Sequence, residues 1–332
     1  MADINVLVLS AGRRVELIKC FKNAARELGI SGSVVAVDCS ETAPALYFAD
    51  KYRLVPRIDS GRYTEAVIEV CNEENISLIV PTIDTELLLL AADKERIEKE
   101  THAKLLVSDL PVINVCRNKL NTQRYMEEHG FKVPHLYTEE ELKNGSLKFP
   151  LFIKPVDGSS SIDTYRADDK TQLDAILTLV KDPMVQDYME GEEYTIDVFL
   201  DFDSNIITMV PRLRMATRSG EIAKGRIIKD AAIMEDVTRL MNELKPIGHI
   251  TVQCRKTNRG IEYIEINPRF GGGAPMSIMA GADSCKNLYR LLKGEVLTYN
   301  EDYRENVTFL RFDSSIMLNE DMVPENEKGC YI

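Results

Sequence analysis

A chain of 332 residues with 44% hydrophobic and 28% charged side chains is long enough for two or three compact units and has the composition of an ordinary globular protein. Its formal net charge of −12 argues against a general nucleic-acid or anionic-membrane binder, since both need a basic surface, but leaves room for a local cationic pocket. Seven scattered cysteines without a Cys-x-x-Cys pair fit free thiols in a reducing cytosol better than a disulfide framework or a zinc site. With no basic n-region at the start and no apolar run of membrane-spanning length, the expectation is a cytoplasmic protein with no membrane or nucleic-acid partner.

Asn5–Leu9 is a continuous apolar strand, followed by a turn at Gly12 and a helical pattern from Val15 to Leu28 that Gly29 ends. Ser33–Val37 is a second buried strand closing on Asp38, Tyr63–Asn72 an amphipathic helix, Ile76–Pro81 a third strand, and Leu87 to Glu100 helix again. Buried strands alternating with helices imply a parallel sheet with crossovers, a Rossmann-like α/β layer over residues 1–115. The dinucleotide fingerprint needs three glycines, and only Gly12 is present, with Arg13 and Arg14 behind it. The loop therefore reads as a strand-to-helix turn facing an interdomain cleft, its arginines either anion ligands or solvated charge.

The second unit, residues 116–295, begins with a helix from Lys119 to His129, then an extended stretch from Pro134. The strand Phe149–Pro155 leads into a small-residue loop, Asp157-Gly158-Ser159-Ser160-Ser161, and a helix over Lys170–Val180. Strands follow at Val185–Tyr188, Tyr194–Leu200 and Ile206–Pro211, a helix at Ala231–Leu244, and a hairpin of Ile250–Arg255 with Gly260–Ile266. A last helical region begins at Ser277–Gly281. Segregated strands and helices indicate an α+β unit. Residues 296–332 form a closing segment, with one strand or two within Val307–Leu318 and a polar tail of disordered composition after it.

The richest segment is Ile261 to Gly273. Residues two apart on a strand share a face, so Glu265, Asn267 and Arg269 form one row: carboxylate, amide oxygen and guanidinium. Hard oxygen donors beside a fixed cation suit a Mg²⁺-bound polyphosphate. Gln253, on the partner strand of the hairpin, can converge on the same ion. Lys154 ends an apolar strand just before the serine loop, where its ammonium and the backbone and hydroxyls of Ser159, Ser160 and Ser161 can meet phosphates; a solvent-exposed strand terminus is the alternative. The connector Gln186 to Tyr194 offers backbone groups to an adenine edge and a carboxylate to ribose hydroxyls, or is simply an acidic turn. Arg212, Arg214, Lys224 and Arg226 concentrate positive charge in an acidic protein, as contacts to an acceptor carboxylate or to phosphates, or as a solvated hairpin.

Taken in order, these features resemble the ATP-grasp superfamily, and within it a single synthetase module of the carbamoyl-phosphate synthase large chain and its stand-alone ligase relatives. The residues that carry the resemblance are Asn118-Lys119, Phe149 to Pro155 with its serine loop, Glu190-Gly191-Glu192-Glu193-Tyr194, Gln253, and Glu265-Ile266-Asn267-Pro268-Arg269. Asp38, Pro44, Ala49-Asp50 and Asp84-x-Glu86-Leu87 look like the domain preceding the grasp module. The resemblance implies an α/β Rossmann-like pre-ATP-grasp domain followed by an α+β ATP-grasp module. It further implies Lys119 and Lys154 on ATP phosphates, backbone near Gln186, Tyr188 and Met189 on adenine, and Glu193 on ribose. Gln253, Glu265 and Asn267 would ligate Mg²⁺, with Mn²⁺ as a substitute. Arg269, Lys224 and Arg226 would be the catalytic cations, and Arg212, Arg214, Gly271 and Gly272 the substrate contacts. Many relatives carry a carboxylate where this chain has Gln253, so occupancy by two metals is in question.

The implied activity is ADP-forming ligation of a small-molecule carboxylate to an amine or related nucleophile through an acyl phosphate, the Ser-rich loop closing over it. Two other readings stand beside it. The chain is a half-module of carbamoyl-phosphate synthesis, working as a homo-oligomer such as a homodimer or with a partner, or it is a nucleotide-binding regulator without ligase activity.

Overall fold

A computed structural model describes residues 3–145, 147–158 and 162–325. The chain divides into two compact units. One comprises the chain to Val107, Asp283–Val296 and the segment from Leu310; the other comprises Ser108–Ala282 and Leu297–Phe309.

The first unit runs β1 (Asn5–Val8), α1 (Val15–Glu27), β2 (Val34–Asp38), β3 (Lys51–Leu54), α2 (Tyr63–Glu73), β4 (Ile76–Val80), α3 (Leu87–Ala92), α4 (Lys94–Thr101) and β5 (Lys104–Leu105). The strands form one parallel sheet in the order β3-β2-β1-β4-β5, a doubly wound arrangement. Val6, Leu7 and Val8 are wholly buried, as expected of a central parallel strand covered on both faces. The edge strand β3 escaped the sequence reading because all four of its residues are exposed and carry no buried pattern.

The loop after β1 is closed from within. The Gly12 N–H donates to Asp38 Oδ2 at 2.8 Å, so this carboxylate is engaged by its own fold. Gly12 has φ +45°, a left-handed conformation that glycine adopts without strain. Glu86, fully buried, accepts from the Ser10 hydroxyl (2.6 Å), the Tyr63 hydroxyl (2.7 Å) and the N–H of Thr82 (2.8 Å) and of Ile83 (3.2 Å). Burial raises its pKa despite these donors. The Asp-x-Glu segment thus ties the ends of β1 and β4 together.

The second unit begins with α5 (Leu110–Arg117), α6 (Lys119–Glu128) and α7 (Glu139–Asn144). Asn118 caps α6, its Oδ1 accepting from the N–H of Leu120 and of Asn121. A small antiparallel sheet follows: β6 (Leu151–Pro155), β7 (Tyr165–Ala167) and, after α8 (Lys170–Leu177), β8 (Pro183–Asp187), in the order β7-β6-β8. Leu151, Ile153, Leu173 and Val185 make its core.

The larger sheet is built from β9 (Glu192–Leu200), β10 (Ile206–Arg218), β11 (Glu221–Ile227), β12 (Gly248–Thr257), β13 (Gly260–Asn267) and β14 (Thr308–Leu310), in the order β13-β12-β9-β10-β11-β14. Helix α9 (Ala231–Leu244) lies between β11 and β12 in sequence, and buries Ile233, Val237, Leu240 and Met241 against Ile196, Val198, Ile250 and Val252. Those positions recur every three or four residues, as a one-faced helix requires. After β13 come α10 (Ala274–Ala280) and α11 (Ser284–Leu292), the latter in the first unit, where Tyr289 meets Phe21 of α1 edge to face. Within the expected strand region Val307–Leu318 only β14 is a strand; an isolated bridge joins Leu318 to Pro324, and the tail beyond Glu325 lies outside the described residues. Among the described residues no helix is long and apolar enough to cross a membrane.

Candidate functional site

Side-chain alternation on β6 sets up one wall of a cleft. Leu151 and Ile153 point into the small core, so Phe152 and Lys154 face the other way. Strands β9, β10, β12 and β13 supply the opposite wall: Glu193, Arg214, Gln253, Arg255, Ile264 and Glu265. Lys119, Tyr188 and Met189 complete a cavity of about 150 Å³.

The group around Glu265 is compact. Gln253 and Glu265 are a cross-strand pair, and Gln253 Nε2 donates to Glu265 Oε1 at 2.7 Å. Asn267 Nδ2 donates to the same oxygen at 2.8 Å, and Asn267 Oδ1 accepts from Arg269 Nη2 at 3.2 Å. The expected row of Glu265, Asn267 and Arg269 is therefore a connected one, and Gln253 joins it. Lys154 is 6% exposed, and burial lowers its pKa to about 8, opposed by the charge of Glu265 and reinforced by that of Lys119. Lys119 Nζ donates to Val156 O at 3.1 Å and Gly158 O at 2.9 Å, reaching the backbone just after β6.

Can this donor set hold Mg²⁺? Three hard oxygens stand within one hydrogen-bonded group, and turning the two amides presents oxygen in place of N–H. Only one of the three is a carboxylate, and no cluster of three His, Cys, Asp or Glu side chains suited to a metal occurs among the described residues. The set fits a Mg²⁺ that keeps phosphate oxygens as its remaining ligands, the usual state of this ion.

Glu193, also in the cleft, is clamped. Arg214 Nε lies 2.8 Å from Oε1 and Arg255 Nη2 2.8 Å from Oε2. Arg255 Nη1 also donates to Met189 O at 3.1 Å and Gly191 O at 3.3 Å. Burial lowers the pKa of Arg214, while Glu193 and Glu265 oppose that shift. Phe152 and Tyr188 have ring centroids 6.4 Å apart, and the Arg166 guanidinium stacks 4.7 Å from the Tyr188 ring. Ile264 and Glu265 are consecutive yet both line the cleft, because the β12–β13 register skips Ile264. Such a bulge re-aims one side chain.

Other expected residues lie elsewhere. The Gln186 side chain is buried and donates to Gln123 Oε1 at 2.8 Å, so only its neighbours Tyr188 and Met189 reach the cleft. Arg212 is buried in an ion pair with Asp197 and does not line the cleft; it sits beneath the Gly271–Gly273 turn, where a Cβ on Gly273 would come 2.6 Å from Arg212 Nη2. Gly271 packs on Thr251, leaving no room for a side chain, and Gly272 is half-buried. Lys224 and Arg226 are exposed on β11. Gly225 lies against Arg212, so alternation places its two neighbours on the face away from Arg212 and Arg214. Ser159, Ser160 and Ser161 lie outside the described residues. The sequence reading missed Phe152, Ile264 and Arg255. Arg255 stands two residues beyond Gln253 on one strand, the spacing that would have placed it on the same face.

Residues 6–104 match the family described as PylC-like, N-terminal domain, and residues 180–313 the family described as ATP-grasp in the biosynthetic pathway with Ter operon. The chain is 24% identical over 195 residues to a carbamoyl-phosphate synthase of Methanobrevibacter smithii, covering 56% of this chain and 50% of that protein. It is 24% identical over 241 residues to a D-alanine–D-alanine ligase of Bacillus anthracis, covering 67% of this chain and 77% of that one. The chain thus spans half the length of the carbamoyl-phosphate synthase it matches. In fold it is similar to the biotin carboxylase domain of Hydrogenobacter thermophilus 2-oxoglutarate carboxylase, solved with MgADP, ADP and bicarbonate, at TM-score 0.71 and 18% identity over 93% of this chain and 74% of that one. An ATP-grasp family thus accounts for residues 180–313 of the chain.

Proposed function

We propose that this chain joins a small-molecule carboxylate to an amine or similar nucleophile at the expense of ATP, and that the cleft of the second unit is where it does so. The observation that carries the reading is the convergence of Lys154, Gln253 and Glu265 on a cleft that Glu193 and Met189 also line, with Asn267 and Arg269 hydrogen-bonded on from Glu265 behind it. MgATP, when bound, would supply the γ-phosphoryl group that makes the carboxylate an acyl phosphate and leaves ADP, and the nucleophile would then displace inorganic phosphate. The chain's own residues do the rest. Lys154 and Lys119 offset phosphate charge, so that a second anion can approach. Glu265, Asn267 and Gln253 hold the metal, Arg269 neutralises charge on the transferring group, and Glu193 accepts from the ribose hydroxyls.

The half-reaction of carbamoyl-phosphate synthesis is the second reading, supported by the match to the archaeal synthase and by an amide, Gln253, at the metal end. One assay addresses both. ADP release with Mg²⁺ is measured against pools of carboxylates crossed with amines, and against bicarbonate with ammonia. ADP release that requires one carboxylate and one amine is the expected result; release only with bicarbonate would favour the second reading. ATP binding without ADP release under any pairing would overturn both and leave a nucleotide-binding regulator.

A further inference from the structure

Strands β12 and β9 pair so that Arg255 stands directly opposite Glu193. Its guanidinium reaches Glu193 Oε2 at 2.8 Å, Met189 O at 3.1 Å and Gly191 O at 3.3 Å. Arg214 occupies the other carboxylate oxygen, and its own fork is fixed by Thr195 Oγ1 at 3.2 Å and Gly220 O at 2.9 Å. An ionised carboxylate offers about four acceptor positions. Two arginines, one on each oxygen, fix the carboxylate plane and leave the remaining positions pointing in set directions.

We propose that Arg255 is the positioning residue through which this cleft recognises the sugar of its nucleotide. The inference rests on the reading of Glu193 as the ribose acceptor. A single guanidinium joins that carboxylate to the connector at Met189 and Gly191, so the groups that meet the base and the sugar form one rigid unit. Arg214 alone is a one-point attachment about which Glu193 can turn. The planar fork suits Arg255 to three acceptors at once, whereas a lysine ammonium is a point charge on a flexible stem. Without the fork, Glu193 loses its direction, and recognition of two vicinal hydroxyls depends on direction.

The test is calorimetry with Mg²⁺ and either ADP or 2′,3′-dideoxy-ADP, which needs no acceptor substrate. The native chain prefers ADP by about tenfold or more, the worth of one or two hydrogen bonds to a charged group. Arg255→Met, which keeps the packing of the stem, lowers that preference to about twofold by weakening ADP more than the dideoxy nucleotide. Arg255→Lys gives an intermediate preference. Equal weakening of both nucleotides by Arg255→Met, with the preference unchanged, overturns the proposal and leaves Arg255 a merely structural residue. Should that variant melt early and fail to fold, Arg255→Lys decides: a preference equal to the native value overturns the proposal. Glu193→Gln, measured alongside, separates the two layers. A native preference in that variant overturns the ribose assignment itself, whatever Arg255 does.

Discussion

Arg212 and Asp197 form a buried ion pair, Nη1 to Oδ2 at 2.5 Å, with each side chain only 1% exposed. Ser277 joins it, donating to Asp197 Oδ2 at 2.6 Å and accepting from Arg212 at 2.9 Å, and Thr251 donates to Oδ1 at 3.3 Å. The pair links β9, β10, β12 and α10 beneath the Gly271–Gly273 turn. Burial alone would raise the pKa of Asp197, but the charges of Arg212 and His249 outweigh it and hold the group below the usual carboxylate range. Asp197→Ala strands a buried guanidinium, and we expect a loss of about 3–5 kcal/mol in chemical denaturation. The native pair contributes at neutral pH and is lost only as pH falls below about 4. The destabilisation seen at pH 7 should therefore shrink in acid; a constant difference down to pH 2 would contradict the ion-pair account.

Glu265→Ala removes the one carboxylate of the proposed metal site. ADP formation should fall by about a hundredfold or more, with the thermal midpoint of the apoprotein little changed. Gln253→Glu adds a second negative charge and should lower the Mg²⁺ concentration giving half-maximal ADP formation. Retained turnover in Glu265→Ala would remove this residue from the metal site.

Lys154 keeps its proton below pH about 8 and loses it above. An unfolded lysine titrates near about 10.4, so between those values the native state binds fewer protons than the unfolded one. Stability should then rise with pH across that window, by about 3 kcal/mol in all. Nucleotide affinity should move the opposite way, since phosphate needs the ammonium. ADP binding at pH 8.5 should take up protons, seen as a dependence of calorimetric enthalpy on the buffer. Lys154→Met should flatten both profiles.

Gly191 has φ +147°, and a Cβ there would come 2.1 Å from Lys256 O. The obstacle is backbone, and it cannot yield without parting β9 from β12. Gly191→Ala should cost about 3 kcal/mol, strain and overpacking together, and weaken ADP binding through the adjoining connector. Denaturation and calorimetry on the same variant would show both.

The double variant Lys224→Ala, Arg226→Ala should leave ADP affinity and turnover within about twofold of native, as exposed substitutions away from a site usually do. A tenfold loss would show that the exposed face of β11 takes part in the reaction.

The hairpin of β12 and β13 was legible because apolar and polar residues alternate with period two and a turn separates the runs. Lys154 was legible as the polar residue closing an apolar strand just before a loop of small residues. Arg255 was not, because a charge on an alternating strand looks like solvent exposure until its neighbour strand brings Glu193 opposite. Arg212 misled in the converse way: an arginine in a basic run suggests a surface, and only tertiary pairing with Asp197, fifteen residues earlier, buries it. Composition cannot assign Lys224 and Arg226 to a face. The β10–β11 register, with its two irregularities, does that.

The skipped register at Ile264 gives β13 one residue more than its partner needs. That surplus residue is the apolar one, while Tyr263 before it and Glu265 after it stay paired with Cys254 and Gln253. The strand therefore carries its polar row and its apolar contact separately. Shortening it by one at residue 264 would subtract hydrophobic surface from the cleft and leave Glu265, Asn267 and the core residues Tyr263 and Ile266 facing as they do now. The apolar contact and the polar row of this strand can be retuned independently, one by changing how many residues the strand has and the other by changing which ones.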